Sequence, residues 1–168
     1  AVRDSVLDEA YVIGSAFALE DSPIWERGLA MGQSRASMLP ARLLDPKPGE
    51  RILDLCAAPG AKATQLAALA DNQAEIVCVE QHPGRAAGLR ELAARMGASL
   101  TVIEGDGREV DLGGPFDAAL VDPPCTGLGV LAARPDARWR RHEEDLAGLV
   151  ALQAGLLRRA ATAVRPGG

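Results

Sequence analysis

Four short apolar runs at regular distances constrain this chain more than any other feature. Arg51–Leu55 (RILDL), Glu75–Val79 (EIVCV), Leu100–Ile103 (LTVI) and Phe116–Val121 (FDAALV) are each four to six residues long. Near-continuous apolar runs of this length mark strands buried on both faces. The stretches between them have helical composition: Ala63–Ala70 is alanine-rich, and Arg85–Met96 has Gly97 placed to stop it. A long amphipathic stretch, Glu143–Val164, follows the fourth run and closes on Pro166-Gly-Gly168. Strands alternating with helices imply parallel crossovers, so the expected fold class is α/β, Rossmann-like, with a doubly wound, mostly parallel sheet. Arg51–Leu55 should be its central strand, with the second and third runs on one side and the fourth on the other. A chain that stops just after a helix, where such a fold turns into its next strand, reads as a fragment truncated before a fifth strand.

The first third is less regular. Residues 1–33 have mixed patterning without a clean period, Ser34–Leu44 is helix-like but interrupted by Pro40, and Asp45-Pro-Lys-Pro-Gly49 reads as a turn or linker. The expected division is therefore an N-terminal segment, 1–33, and a core, 34–168. Of the 168 residues 48% are apolar and 24% charged, which is ordinary globular usage and excludes intrinsic disorder. No apolar run approaches the ~20 residues of a membrane helix. Cys56, Cys78 and Cys125 are odd in number and scattered, fitting neither a disulfide framework nor a metal site and pointing to a reducing, cytoplasmic compartment. The net charge of −5 argues against a protein that simply coats a polyanion. It is unevenly spread: residues 1–33 carry six acids and two bases, residues 134–168 seven arginines and four acids.

The strongest local motif is Leu53-Asp-Leu-Cys-Ala-Ala-Pro-Gly-Ala-Lys62, which leaves the first strand and opens a helix. In an open α/β sheet the ligand crevice lies at the carboxyl ends of the strands. Small residues at 57, 58, 60 and 61 let a ligand approach the backbone, and the helix start offers unpaired N–H groups to an anionic group. Glu80, ending the second strand, stands where an acid accepts hydrogen bonds from both ribose hydroxyls. The loop lacks the glycine pattern of dinucleotide sites and the Gly-Lys-Ser/Thr of nucleoside triphosphate sites. A carboxylate at the helix start plus a ribose suits S-adenosylmethionine, with Asp106 after the third strand able to reach the adenine or to be an ordinary loop acid. The second motif, Asp122-Pro-Pro-Cys-Thr-Gly-Leu-Gly129, follows the fourth strand, and its prolines fix Asp122 and Cys125 at the same crevice.

These two motifs, with RPDARW at 134–139 and LQAGLLRRAATAVRPGG at 152–168, resemble the RNA (cytosine-5)-methyltransferases of the Sun (RsmB-like) family. The resemblance covers about residues 30–168 and implies that Cys56, Ala57, Ala58, Pro59, Gly60, Ala61 and Lys62 bind S-adenosylmethionine. It further implies Glu80 on the ribose, Asp106 near the adenine, and Asp122 near both the methionine end and the target base. In that family a cysteine thiolate adds to carbon 6 of cytosine, making carbon 5 enamine-like and able to take a methyl group. The cysteine of the Pro-Cys loop, here Cys125, assists release, while the nucleophile belongs to a Thr-Cys motif after the Pro-Gly-Gly strand. This chain contains no Thr-Cys pair, so the resemblance implies that it is inactive alone. Two departures stand out: Ala61 replaces a customary second glycine, and Glu80 a commoner aspartate.

Alternative readings are a methyltransferase acting on DNA or protein, with Cys125 as nucleophile in the DNA case, and a catalytically incomplete RNA-binding module. Trp139, among Arg134, Arg138, Arg140 and Arg141, either stacks an unpaired RNA base or packs beneath the long helix. His82 and His142 carry no assigned role. Neither the RNA species, ribosomal or transfer, nor the oligomeric state is written in the sequence, and nothing in it points to a metal or a membrane.

Overall fold

The computed structural model describes residues 1–14, 17–132, 135–140 and 142–168, with only the backbone at 137; Arg134 and Arg141 lie outside the described residues. The chain forms two compact units, Ala1–Gly32 and Gln33–Gly168. The first contains a small antiparallel pair, β1 (Val2–Arg3) and β2 (Tyr11–Val12). Asp4 shapes the turn between them, its Oδ1 accepting the N–H groups of Val6 and Leu7 at 2.8 and 3.1 Å. A one-turn helix, α1 (Pro23–Glu26), follows, capped by Ser22. Elements of two to four residues are too short to leave a period in the sequence, so none was legible there.

The second unit runs α2 (Arg35–Leu44), β3 (Arg51–Leu55), α3 (Ala61–Leu69), β4 (Glu75–Glu80), α4 (Pro83–Met96), β5 (Leu100–Glu104), β6 (Ala118–Val121), α5 (Ala137–Arg140) and α6 (Asp145–Ala163). Its sheet is parallel in the order β5-β4-β3-β6, with β3 central as expected. Successive strand residues point to opposite faces, so each strand supplies two cores. Ile52, Ile76 and Cys78 pack with Ala41, Ala63, Leu66 and Leu89. On the other face Leu53, Leu55, Val77 and Val79 pack with Leu112, Phe116 and Ala160.

Two elements differ from expectation. Pro40 does not interrupt α2: it is the sixth of ten residues, and the helix, capped by Ser34 and closed by Asp45 in the left-handed region, runs through it with one backbone bond forfeited. The fourth strand begins at Ala118 rather than Phe116. Asp117 instead accepts the Arg51 N–H at 2.7 Å and pairs with Arg165 at 2.8 Å. Phe116 forms an isolated parallel bridge with Val164, so backbone following α6 already lies along the outer side of β6.

Candidate active site

The carboxyl ends of all four parallel strands open onto one cavity of about 270 Å³. It is lined by Cys56 after β3, Glu80 at the end of β4, Asp106 after β5, and Asp122 and Cys125 after β6. Parallel pairing compels this convergence: strands running the same way deliver every following loop to the same edge. From the loop after β3, Cys56 and Ala58 belong to the lining; Ala57, Pro59, Gly60, Ala61 and Lys62 do not.

Gly60 has φ +109°, and a Cβ there would stand 2.3 Å from Leu89 Cδ1 and 3.2 Å from Leu92 Cδ2. Its smallness therefore permits close packing of the α3 start against α4. The first intrahelical bond of α3 runs from Thr64 N–H to Gly60 O (2.9 Å), so the N–H groups of residues 61–63 precede the helical ladder.

Glu80 is only 3% exposed, and both of its oxygens have partners. Oε1 accepts the His82 N–H at 2.9 Å, and Oε2 lies 3.4 Å from Arg85 Nη2. Asp106 is gripped by the Arg108 guanidinium and by the Arg108 backbone N–H (2.9 Å), which together pull its pKa down to about 2. Asp122 is exposed, and its Oδ2 accepts from Lys62 Nζ at 2.7 Å, joining the two loops the sequence singled out. Sequence reasoning placed both residues at the crevice but had no signal for this pairing across sixty positions.

Asp54 was missed altogether. It stands within β3 on the Ile52 face, fully buried, and neither carboxyl oxygen has a hydrogen-bond partner. Burial pushes its pKa up to about 8, against the pull of the Lys62 charge and reinforced by Asp122. At neutral pH it therefore holds its proton, since an uncompensated buried carboxylate is costly.

The three thiols occupy contrasting surroundings. Burial, seconded by the Glu80 charge, pushes Cys56 up to about 11. Cys78 is buried within β4 and raised well above its ordinary value by the same cause. Cys125 is exposed, and its loop is tied to α6 by Gln153 Nε2 donating to Pro124 O at 2.8 Å. Trp139 is 80% exposed and so does not pack beneath α6; the described arginines beside it, Arg138 and Arg140, are exposed as well. Among the described residues no cluster of His, Cys, Asp or Glu could hold a metal ion, and no helix is long and apolar enough to cross a membrane.

A parallel sheet in this order, with a small-residue loop after the central strand and a buried acid ending the next, defines a Rossmann-like methyltransferase core. The chain belongs to the 16S rRNA methyltransferase RsmB/F family, which it matches over residues 41–168. A Mycobacterium tuberculosis chain named only as a methyltransferase is 45% identical over 148 residues, covering 84% of this chain and 32% of the relative. The ribosomal RNA small subunit methyltransferase B of Sodalis glossinidius is 36% identical over 171 residues, covering 100% of this chain and 39% of the relative. Among solved structures, NSun6 from Pyrococcus horikoshii with SFG superposes with a TM-score of 0.83 at 32% identity, over 91% of this chain and 40% of that one. The chain thus spans 32–39% of the length of these two curated relatives.

Proposed function

We propose that this chain is the S-adenosylmethionine-binding and partly catalytic core of an enzyme that methylates carbon 5 of a cytosine in RNA through a cysteine–RNA adduct. Ribosomal RNA is the favoured substrate, because the family and the Sodalis relative carry that name; transfer RNA is the second candidate. Residues 34–168 are the cofactor-binding core, and 1–33 are part of an RNA-binding region or of a cap; the enzyme works in the cytoplasm.

The observation that carries the reading is the meeting of Glu80, Asp106, the Lys62–Asp122 pair and Cys125 around one cavity. S-adenosylmethionine suits the residues present: Glu80 keeps lone pairs for the ribose hydroxyls beyond its two existing partners, Asp106 offers an acceptor to the adenine, and the methionine end is assigned to the Cys56–Lys62 loop. Bound there, it supplies an electrophilic methyl sulfonium.

The chain's own residues act on the base. As a thiolate adds to carbon 6, cytosine N3 takes up a proton, and Asp122, held by Lys62, is assigned to accept the hydrogen bond of that N3–H. Carbon 5 then takes the methyl group, its proton is removed, and the carbon–sulfur bond breaks to restore the ring. Cys125 assists that last step, while the adding thiolate comes from a Thr-Cys motif outside these residues. Cys56 and Cys78 are protonated at neutral pH and too enclosed to serve. Trp139, Arg138 and Arg140, all exposed, are the candidates to stack a base and hold phosphates.

The test has two parts. This chain should bind labelled S-adenosylmethionine and leave RNA unmethylated. Joined to a segment bearing the Thr-Cys motif, it should methylate small-subunit ribosomal RNA, and its Cys125→Ala form should hold a covalent RNA band on a denaturing gel. Loss of both the band and methylation would make Cys125 the nucleophile instead.

A further inference from the structure

Between the β3 and β4 loops stands a side chain that the reading of the site does not yet use. Arg85 lies in the first turn of α4, half exposed, with its guanidinium in the cavity lining. Its Nη2 donates to the Ala58 carbonyl at 2.9 Å and lies 3.4 Å from Glu80 Oε2. One nitrogen therefore spans the loop that leaves the central strand and the acid that ends the neighbouring one.

Glu80 needs such a tether. A glutamate reaches its carboxylate through three rotatable bonds, and its terminal torsion is broad. The His82 N–H fixes one oxygen only. The Arg85 guanidinium, 3.4 Å from Oε2, holds the second oxygen by charge, and because the same nitrogen donates to Ala58 O, the carboxylate is held relative to the small-residue loop. We propose that Arg85 is a positioning residue: it locks the Glu80 carboxylate to the Ala58 carbonyl, so that the acid faces a ribose diol already oriented. The assignment rests on the reading of Glu80 as the ribose acid.

Arginine suits the task better than lysine. Its planar fork is held rigid by delocalisation, whereas an ammonium is a single mobile charge on a flexible stem. The cost of losing the tether falls on ligands that use the diol, and hardly on those without it.

Titration calorimetry with S-adenosylhomocysteine and its 2′,3′-dideoxyribose analogue separates the possibilities. The wild-type chain should prefer the diol-bearing ligand by about a hundredfold, since a site built to bind hydroxyls rejects a ligand lacking them. Arg85→Met should lose about tenfold in affinity for S-adenosylhomocysteine and little for the dideoxy analogue, shrinking the preference by about the same factor. Arg85→Lys should fall between. Should Arg85→Met fail to fold, as judged by circular dichroism, Arg85→Lys and Arg85→Gln carry the comparison. A full preference in the Arg85 variants, or equal losses for both ligands, would overturn the proposal. Glu80→Gln is the control: if it keeps the full preference, the ribose reading itself is wrong. If it loses the preference while Arg85→Met keeps it, only the role of Arg85 falls.

Discussion

The loop after β3 and the loop after β6 reach the same cavity from adjacent strands, yet they are built in opposite ways. The first is embedded: Asp54, Ala57, Ala58 and Gly60 are buried, Cys56 is half-buried, and Gly60 is wedged against Leu89 of the next helix. The second is more open, with Asp122, Pro124 and Cys125 exposed, Lys62 held on Asp122 and Gln153 on Pro124. A small ligand is held best by a preformed wall, whereas chemistry on a base within a polymer needs groups that the polymer can reach. Under the proposed function, cofactor duties fall to the buried loop and base duties to the open one.

Thiol reactivity should show the difference most strongly. Iodoacetamide on the native chain at neutral pH should modify Cys125 about a thousandfold faster than Cys56 or Cys78, followed by peptide mass mapping. Comparable rates at Cys56 and Cys125 would mean that the β3 loop is as open as the β6 loop.

The next effect is a pH dependence belonging to the buried side alone. Native Asp54 keeps its proton up to about 8, whereas the unfolded chain releases it above 3.8, so unfolding releases a proton between those values. Its contribution is full below 3.8 and is lost as pH rises through about 8. Asp54→Asn stays neutral throughout, so its stability relative to wild type should climb with pH, by about 5 kcal/mol at pH 9 compared with pH 4 in urea unfolding. A difference that does not change with pH would show the native carboxyl to be ionised.

Two glycines give the smaller effects. Both have positive φ, but a Cβ at Gly60 meets Leu89, whereas one at Gly127 meets nothing within 4 Å. Gly60→Ala should cost about 2 kcal/mol, from strain plus collision with an enclosed leucine, and Gly127→Ala about 1 kcal/mol from strain alone. Equal shifts in thermal midpoint would erase the distinction between a packed and an open loop.

What the sequence determined by itself was whatever repeats locally. The run Arg51–Leu55 matches β3 residue for residue, and Gly97 stops α4 in the left-handed region as expected, because burial on both strand faces and helix termination are written in neighbouring residues. The strand order agreed with that expected of the fold class, and the motifs at 53–62 and 122–129 announced a crevice because parallel strands send their loops to one edge. Tertiary structure alone decided what those residues touch. Lys62 meets Asp122, and Arg85 joins Glu80 to Ala58, only because strands β3, β4 and β6 lie side by side. Asp54 reads in sequence as any strand acid; its proton depends on being sealed beneath α3 without a hydrogen-bond partner. Hydrophobic period is a property of a segment, whereas charge pairing and desolvation belong to the space between segments, which no local pattern encodes.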